Sequence, residues 1–153
     1  MLVREIMTSN IEMIPPTTSV RNAAIHMAKC EVGALPIGVE NVAQGIVTDR
    51  DIVVRAIATG EDPDETPISS IMTTHIVSIT DDQDVNEAMR LMDANRVGQL
   101  IVMNVSGELC GIVSLCELKR HIETLTKRGS ILESVSATAK AAAVRSAGLT
   151  APQ

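Results

Sequence analysis

Apolar positions along the chain recur with two periods, and each period is used twice. Val20, Ala23, Ala24 and Met27 follow Ser19 at the i, i+3, i+4, i+7 spacing of one helical face. Val85, Ala88, Met89 and Met92 follow Asp84 in the same way. Ser19 and Asp84 are residues that cap helix N-termini, so both stripes predict amphipathic helices with their starts marked. Behind each stripe come two short apolar runs split by a polar turn. Leu35 to Val39 with Gly45 to Val47 form one pair, and Leu100 to Met103 with Leu109 to Val113 form the other. Each pair predicts a β-hairpin. Ile11–Ile14 and Ile76–Ile79 predict a leading strand, and 49–59 and 116–125 a closing helix. The order is β-α-β-β-α, twice.

The two halves also match residue by residue. At an offset of 65, Ile6-Met7-Thr8 falls on Ile71-Met72-Thr73, Val20 on Val85, Met27 on Met92, and Val32-Gly33 on Val97-Gly98. The offset then becomes 66, and Gly45-Ile46-Val47-Thr48 falls on Gly111-Ile112-Val113-Ser114. The extra residue sits in Asn104 to Glu108, which reads as a turn, where insertions are tolerated. Residues 1–59 and 68–126 are therefore two copies of one unit. The acidic segment 60–67, broken by Pro63 and Pro67, is the linker. A three-stranded sheet with two helices leaves one face bare. The expected fold is α+β, two β-α-β-β-α repeats packed through their sheets about a pseudo-two-fold axis. Such a pair has clefts between its halves, where small ligands tend to bind.

Composition narrows the function. The 153 residues include no Phe, Tyr or Trp and carry a net charge of −6. Single-stranded nucleic acids are gripped by aromatic stacking and basic grooves, and this chain offers neither. No apolar stretch is long enough to span a membrane, and the N-terminus has no secretory pattern, so no membrane role and a cytoplasmic location are expected. Cys30, Cys110 and Cys116 are odd in number and form no C-x-x-C pair, as expected of thiols in a reducing compartment. The histidines and methionines lack metal-ligand spacing, and no nucleophile motif is present. No metal site and no enzymatic activity are expected.

One motif stands out in each copy: Gly45-Ile46-Val47-Thr48-Asp49-Arg50-Asp51 and Gly111-Ile112-Val113-Ser114-Leu115-Cys116-Glu117. Both read G-I-V-[ST]-x-x-[DE] at a strand-to-helix junction. The hydroxyl and helix N-terminal N–H groups suit a phosphate, the carboxylate suits a ribose diol, and Arg50 offers a cation. The same spacing is a helix capping box, which needs no ligand at all.

Taken in order and repeated, Ile6-Met7-Thr8, Val32-Gly33-Ala34-Leu35-Pro36-Ile37 and Gly45-Ile46-Val47-Thr48-x-x-Asp51 resemble the tandem cystathionine-β-synthase-type (CBS) domain pair, the Bateman module, over about residues 3–123. The resemblance implies a regulatory sensor that holds an adenosyl ligand between its repeats. AMP, ADP or ATP head that list, with S-adenosylmethionine or NAD behind. It implies Asp51 and Thr48 on the ribose and phosphate. It implies an adenine pocket from Thr8, Ile11, Glu12, Ala34, Leu35 and Pro36. The second copy departs from the pattern: Glu117 replaces Asp, Leu115-Cys116 replaces Asp49-Arg50, and Ile101 replaces Pro36. A second site of Thr73, Leu100, Ser114 and Glu117 is accordingly expected to be weaker. Arg96, ahead of Val97-Gly98, is a candidate phosphate contact across the interface. A homodimer that acts on some further protein is expected. The alternative is a ligand-free interaction module whose two motifs only cap helices. The tail 127–153 has four basic residues and one acidic against nine and eighteen before it. Its Ala- and Ser-rich sequence fits either a docked helix or disorder.

Overall fold

The computed structural model describes residues 1–129, which fall into two units, 1–117 and 118–129. The first unit holds almost all of the repeated pattern. Its strands are β1 (Thr8–Ser9), β2 (Ala34–Val39), β3 (Val42–Thr48), β4 (Ser78–Thr80), β5 (Gln99–Met103) and β6 (Leu109–Ser114). Its helices are α1 (Val20–Cys30), α2 (Asp49–Asp51) and α3 (Val85–Asn95). Single 3₁₀ turns lie at Val3–Glu5 and Ile68–Ser70. The architecture is mixed α+β, built from two corresponding repeats.

The helical stripes behave as their spacing requires. Val20, Ala23 and Met27 of α1 are buried, and so are Val85, Ala88 and Met92 of α3. Ser19 accepts a hydrogen bond from the Asn22 N–H at 3.2 Å, and Asp84 accepts one from Asn86 at 2.9 Å. Both helices end on a left-handed residue, Glu31 (φ 54°) and Arg96 (φ 55°), which turns the chain back toward the next strand. The hairpin turns fall where the polar breaks predict. Glu40 and Asn41 carry positive φ between β2 and β3, and Gly107 (φ 81°) closes the 104–107 turn that holds the extra residue.

Three elements differ from expectation. The leading strand of repeat 1 is Thr8–Ser9 rather than Ile11–Ile14, of which only Ile14 forms a bridge, to Ile37. The leading strand of repeat 2 is Ser78–Thr80, parallel to β5. The helix after Thr48 is α-helical only over Asp49–Asp51 and widens to π-helical turns over Ile52–Ile57.

The repeats are joined by a reciprocal exchange. The N–H of Val3 donates to the carbonyl of Gln83 (2.9 Å), and the N–H of Ile68 to that of Thr18 (2.7 Å). Arg4 bonds Asp81 as Ser69 bonds Pro16, and Val85 bonds Met1 as Val20 bonds Thr66. Each of these bonds maps onto its counterpart at the offset of 65, which is the signature of the pseudo-two-fold. Each 3₁₀ turn therefore docks at the helix start of the other repeat. Ile68 and Ile71 lie in the core formed by Val20, Ala23, Met27, Leu35, Ile37 and Val47 of repeat 1. Full burial of such a side chain is worth about 1.5–3 kcal/mol. The exchange continues into the sheets. β1 pairs with β6 in a sheet of order β1-β6-β5-β4, while Thr73 bridges Ile46 on β3 beside the β2–β3 hairpin. The acidic segment 60–67 is bound down as well: the Arg21 N–H reaches the Pro63 carbonyl (2.9 Å), and the Arg21 guanidinium pairs with Asp64.

In the second unit, residues 118–129 are helical. The tail from 130 onward, with both readings of it, lies outside the described residues.

Candidate functional site

The crossing of the chain explains the first residue of the G-I-V-[ST] motif. A Cβ on Gly45 would stand 2.9 Å from the Thr73 carbonyl oxygen and 2.6 Å from Met72 Sδ. On Gly111 it would stand 2.6 Å from the Thr8 carbonyl oxygen. Both distances are too short for real contacts. Each glycine is there to let the other repeat's leading segment pass, and that passage brings residues of both repeats to each strand-to-helix junction.

At the first junction Thr48 and Asp51 form a closed capping box. The Asp51 N–H donates to Thr48 Oγ1 (3.1 Å), and the Thr48 N–H donates to Asp51 Oδ2 (3.0 Å). Asp51 Oδ1 faces Arg55 Nε at 3.7 Å and takes no other partner among the described residues. Arg55 is itself held by the Ile71 carbonyl (3.1 Å) and Thr73 Oγ1 (3.4 Å). One carboxylate oxygen and the Thr48 hydroxyl proton remain for another group.

At the second junction the box is closed further. Ser114 N–H and Oγ both donate to Glu117 Oε2 at 2.8 Å, and Thr8 Oγ1 donates to Glu117 Oε1 at 2.5 Å. The longer Glu side chain reaches the threonine of the crossing segment. Asp51 is one methylene shorter and does not reach Thr73. Both oxygens of Glu117 are consequently engaged inside the protein.

Two cavities follow. The larger, about 450 Å³, is lined by Thr48, Asp49, Arg50 and Asp51 of repeat 1 and by Thr73, His75, Ile76, Val77, Arg96, Gly98 and Gln99 of repeat 2. The smaller, about 230 Å³, is lined by Thr8, Ile11, Gly33 and Ala34 with Gln99, Ser114 and Glu117. Small-molecule pockets commonly run from ~300 to 1,000 Å³, which of these two only the first reaches; a hollow around Glu12 is as large, about 450 Å³, but neither capping box lines it. Arg50 and Arg96 are exposed at the rim of the first beside the exposed Asp49, and Arg96 makes no ion pair among the described residues.

The grouping expected from sequence is therefore corrected. Thr8, Ile11 and Ala34 do not join Asp51 but face Glu117, and Thr73 joins Asp51, because the leading segments exchange. Leu35, Pro36 and Leu100 line neither cavity, because they are fully buried in the core. Glu12 lines a separate hollow with Met13, Glu40 and Leu109. Thr48, Arg50, Asp51 and Arg96 do meet in one cavity. His75, Gln99 and Arg55 were missed. Their positions become legible only once the offset is read together with the crossing.

The match to known proteins follows this geometry. The family model for the CBS domain fits twice, over residues 3–57 and 68–124. The chain belongs to the CBS-domain family. Such tandem pairs are regulatory modules. This CBS pair is 32% identical over 134 residues to the CBS domain-containing protein YhcV of Bacillus subtilis, covering 88% of this chain and 94% of that protein. Among solved structures it resembles Hypoxic Response Protein I with two coordinated zinc ions (TM-score 0.65, 27% identity, 79% of this chain and 98% of that one). It also resembles the CBS domain protein PAE2072 from Pyrobaculum aerophilum complexed with AMP (TM-score 0.66, 25% identity, 76% and 89%). The zinc ions in the former overturn the expectation of adenosyl ligands with no metal; metal ions also occur on this fold. Among the described residues, no helix is long and apolar enough to cross a membrane.

Proposed function

We propose that this CBS pair is a regulatory module that binds an adenine nucleotide in the larger cavity. The observation that carries this reading is the difference between the two carboxylates. Asp51 keeps an oxygen that accepts no hydrogen bond among the described residues and faces only Arg55 at 3.7 Å, in a 450 Å³ cavity with Arg50 and Arg96 at its rim, whereas both oxygens of Glu117 are taken. Asp51 and the Thr48 hydroxyl would hold the ribose diol, and Arg50 and Arg96 the phosphate. The AMP complex of PAE2072 supports the ligand class. Because the cavity takes residues from both repeats, a bound ligand favours one arrangement of them, and that difference in affinity is the signal. That none of the three cysteines is in a disulfide among the described residues fits a cytoplasmic setting.

A dye-based thermal-shift measurement with AMP, ADP and ATP tests the reading. At 100 times Kd a ligand stabilises by about 2.7 kcal/mol, a shift of several degrees. Asp51→Ala should abolish the shift and Glu117→Ala should keep it. If none of the three nucleotides moves the melting temperature at millimolar concentration, the reading fails.

A second reading is favoured by the caps themselves. Both [ST]-x-x-[DE] boxes close with no ligand, so they are sufficient as helix starts in an interaction module. Val53, Val54 and Ile57, 59, 49 and 54% exposed on the helix after Asp51, offer an apolar face for a second copy. Loss of the dimer in Val53→Asp/Ile57→Asp, measured by light scattering, would support it. An unchanged mass would refute it.

A further inference from the structure

Gln99 marks the sharpest chemical difference between the two clefts. It opens β5 opposite Ser114, and its counterpart Ala34 opens β2 opposite Thr48. A long carboxamide thus stands where the other repeat has a methyl group. Gln99 lines both cavities. Its side chain makes no hydrogen bond among the described residues, and its Oε1 is buried without a partner. Buried acceptors are paired in the great majority of cases, and an exception calls for a donor from elsewhere.

We infer that Gln99 reads the base in the larger cavity and selects a 6-aminopurine. This rests on the nucleotide reading above. The carbonyl of a carboxamide accepts from the exocyclic amino group of adenine, while its NH₂ donates to the neighbouring ring nitrogen, a two-point contact. A 6-oxopurine turns its own carbonyl toward Oε1, and two acceptors then face each other. The chain has no aromatic ring to stack on a base, so selectivity falls to a hydrogen bond of this kind.

Titration calorimetry of the full chain with AMP and IMP tests the inference. The native protein should bind AMP about tenfold more tightly than IMP. That ratio is within the range a two-point contact gives. Gln99→Leu should lose about tenfold for AMP and less than twofold for IMP, so the preference disappears. Its ligand-free melting temperature should not fall, because an unpaired acceptor has been removed. Gln99→Met is the substitute if the leucine variant does not fold. A native AMP/IMP ratio retained in the variant overturns the inference. Equal native affinity for AMP and IMP overturns it while leaving the nucleotide reading intact. Binding of neither ligand overturns both.

Discussion

Gly45→Ala tests the crossing on which both cavities depend. The added Cβ would lie 2.6 Å from Met72 Sδ and 2.9 Å from the Thr73 carbonyl oxygen. The sulfur sits on a flexible side chain and can move. The carbonyl cannot move freely, because it accepts from the Ile46 N–H (2.9 Å) while the Thr73 N–H donates back to Ile46 (2.8 Å). Relieving the clash requires moving the strand outward by several tenths of an ångström, at the expense of both bonds. Overpacking costs about 1–3 kcal/mol, and each weakened bond up to about 0.5–1.5 kcal/mol. A total of roughly 2–4 kcal/mol lowers the melting temperature by about 5–15 °C in a chain of this size. Far-UV circular dichroism is the suitable assay, since no tryptophan or tyrosine is present. Gly98→Ala is the control, because nothing lies within 4 Å of its Cβ, and it should melt with the native protein. Gly45→Ala melting within about 1 °C of native would refute the argument that the glycine is required by the passing segment.

Three further outcomes are expected. Thr8→Val removes the donor to Glu117 Oε1 and leaves a part-buried carboxylate oxygen unpaired, which should cost about 1.5–3 kcal/mol by urea denaturation; Thr73→Val should cost much less, because Thr73 bonds no carboxylate. Asp84, Asp64 and Glu87 are held below the usual carboxylate range, by the Asn86 N–H, Arg21 and Arg90 in turn. A depressed native value stabilises above the unfolded pKa of about 4 and is lost as pH falls through it, so the melting temperature should drop from about pH 4 downward, and less steeply in Asp84→Asn. Burial raises the Cys110 thiol above its ordinary range while Cys30 is exposed, so mass-resolved alkylation at pH 8 should label Cys30 well before Cys110.

Much of this fold could be read from spacing. The stripes of α1 and α3, their caps and the hairpin turns follow from local periodicity and turn chemistry, which act within a few residues. The leading strand could not be read so. Thr8–Ser9 is a polar pair that becomes a strand because β6 offers it backbone partners a hundred residues away, and no local pattern records that. The helix after Asp51 was legible as a helix, but the apolar run Ile52–Ile57 has no period that separates α from π turns. The site was half legible. Thr48, Asp51, Arg50 and Arg96 follow from the motif and the offset. The offset, however, identifies equivalent residues and not the repeat on which each one docks, so Thr8 and Thr73 were assigned to each other's clefts. His75 and Gln99 carry no motif and enter the site only through the exchange.

The reciprocal docking of the two 3₁₀ turns also bears on assembly. A single repeat leaves its turn with no helix start to rest on except that of another copy, and the same contacts would then form between chains. Joining the copies through residues 60–67 makes the encounter intramolecular. A short tether sets an effective concentration of about the millimolar order. The exchange then holds at any dilution of the protein, and the cleft between repeats exists before a second chain is met.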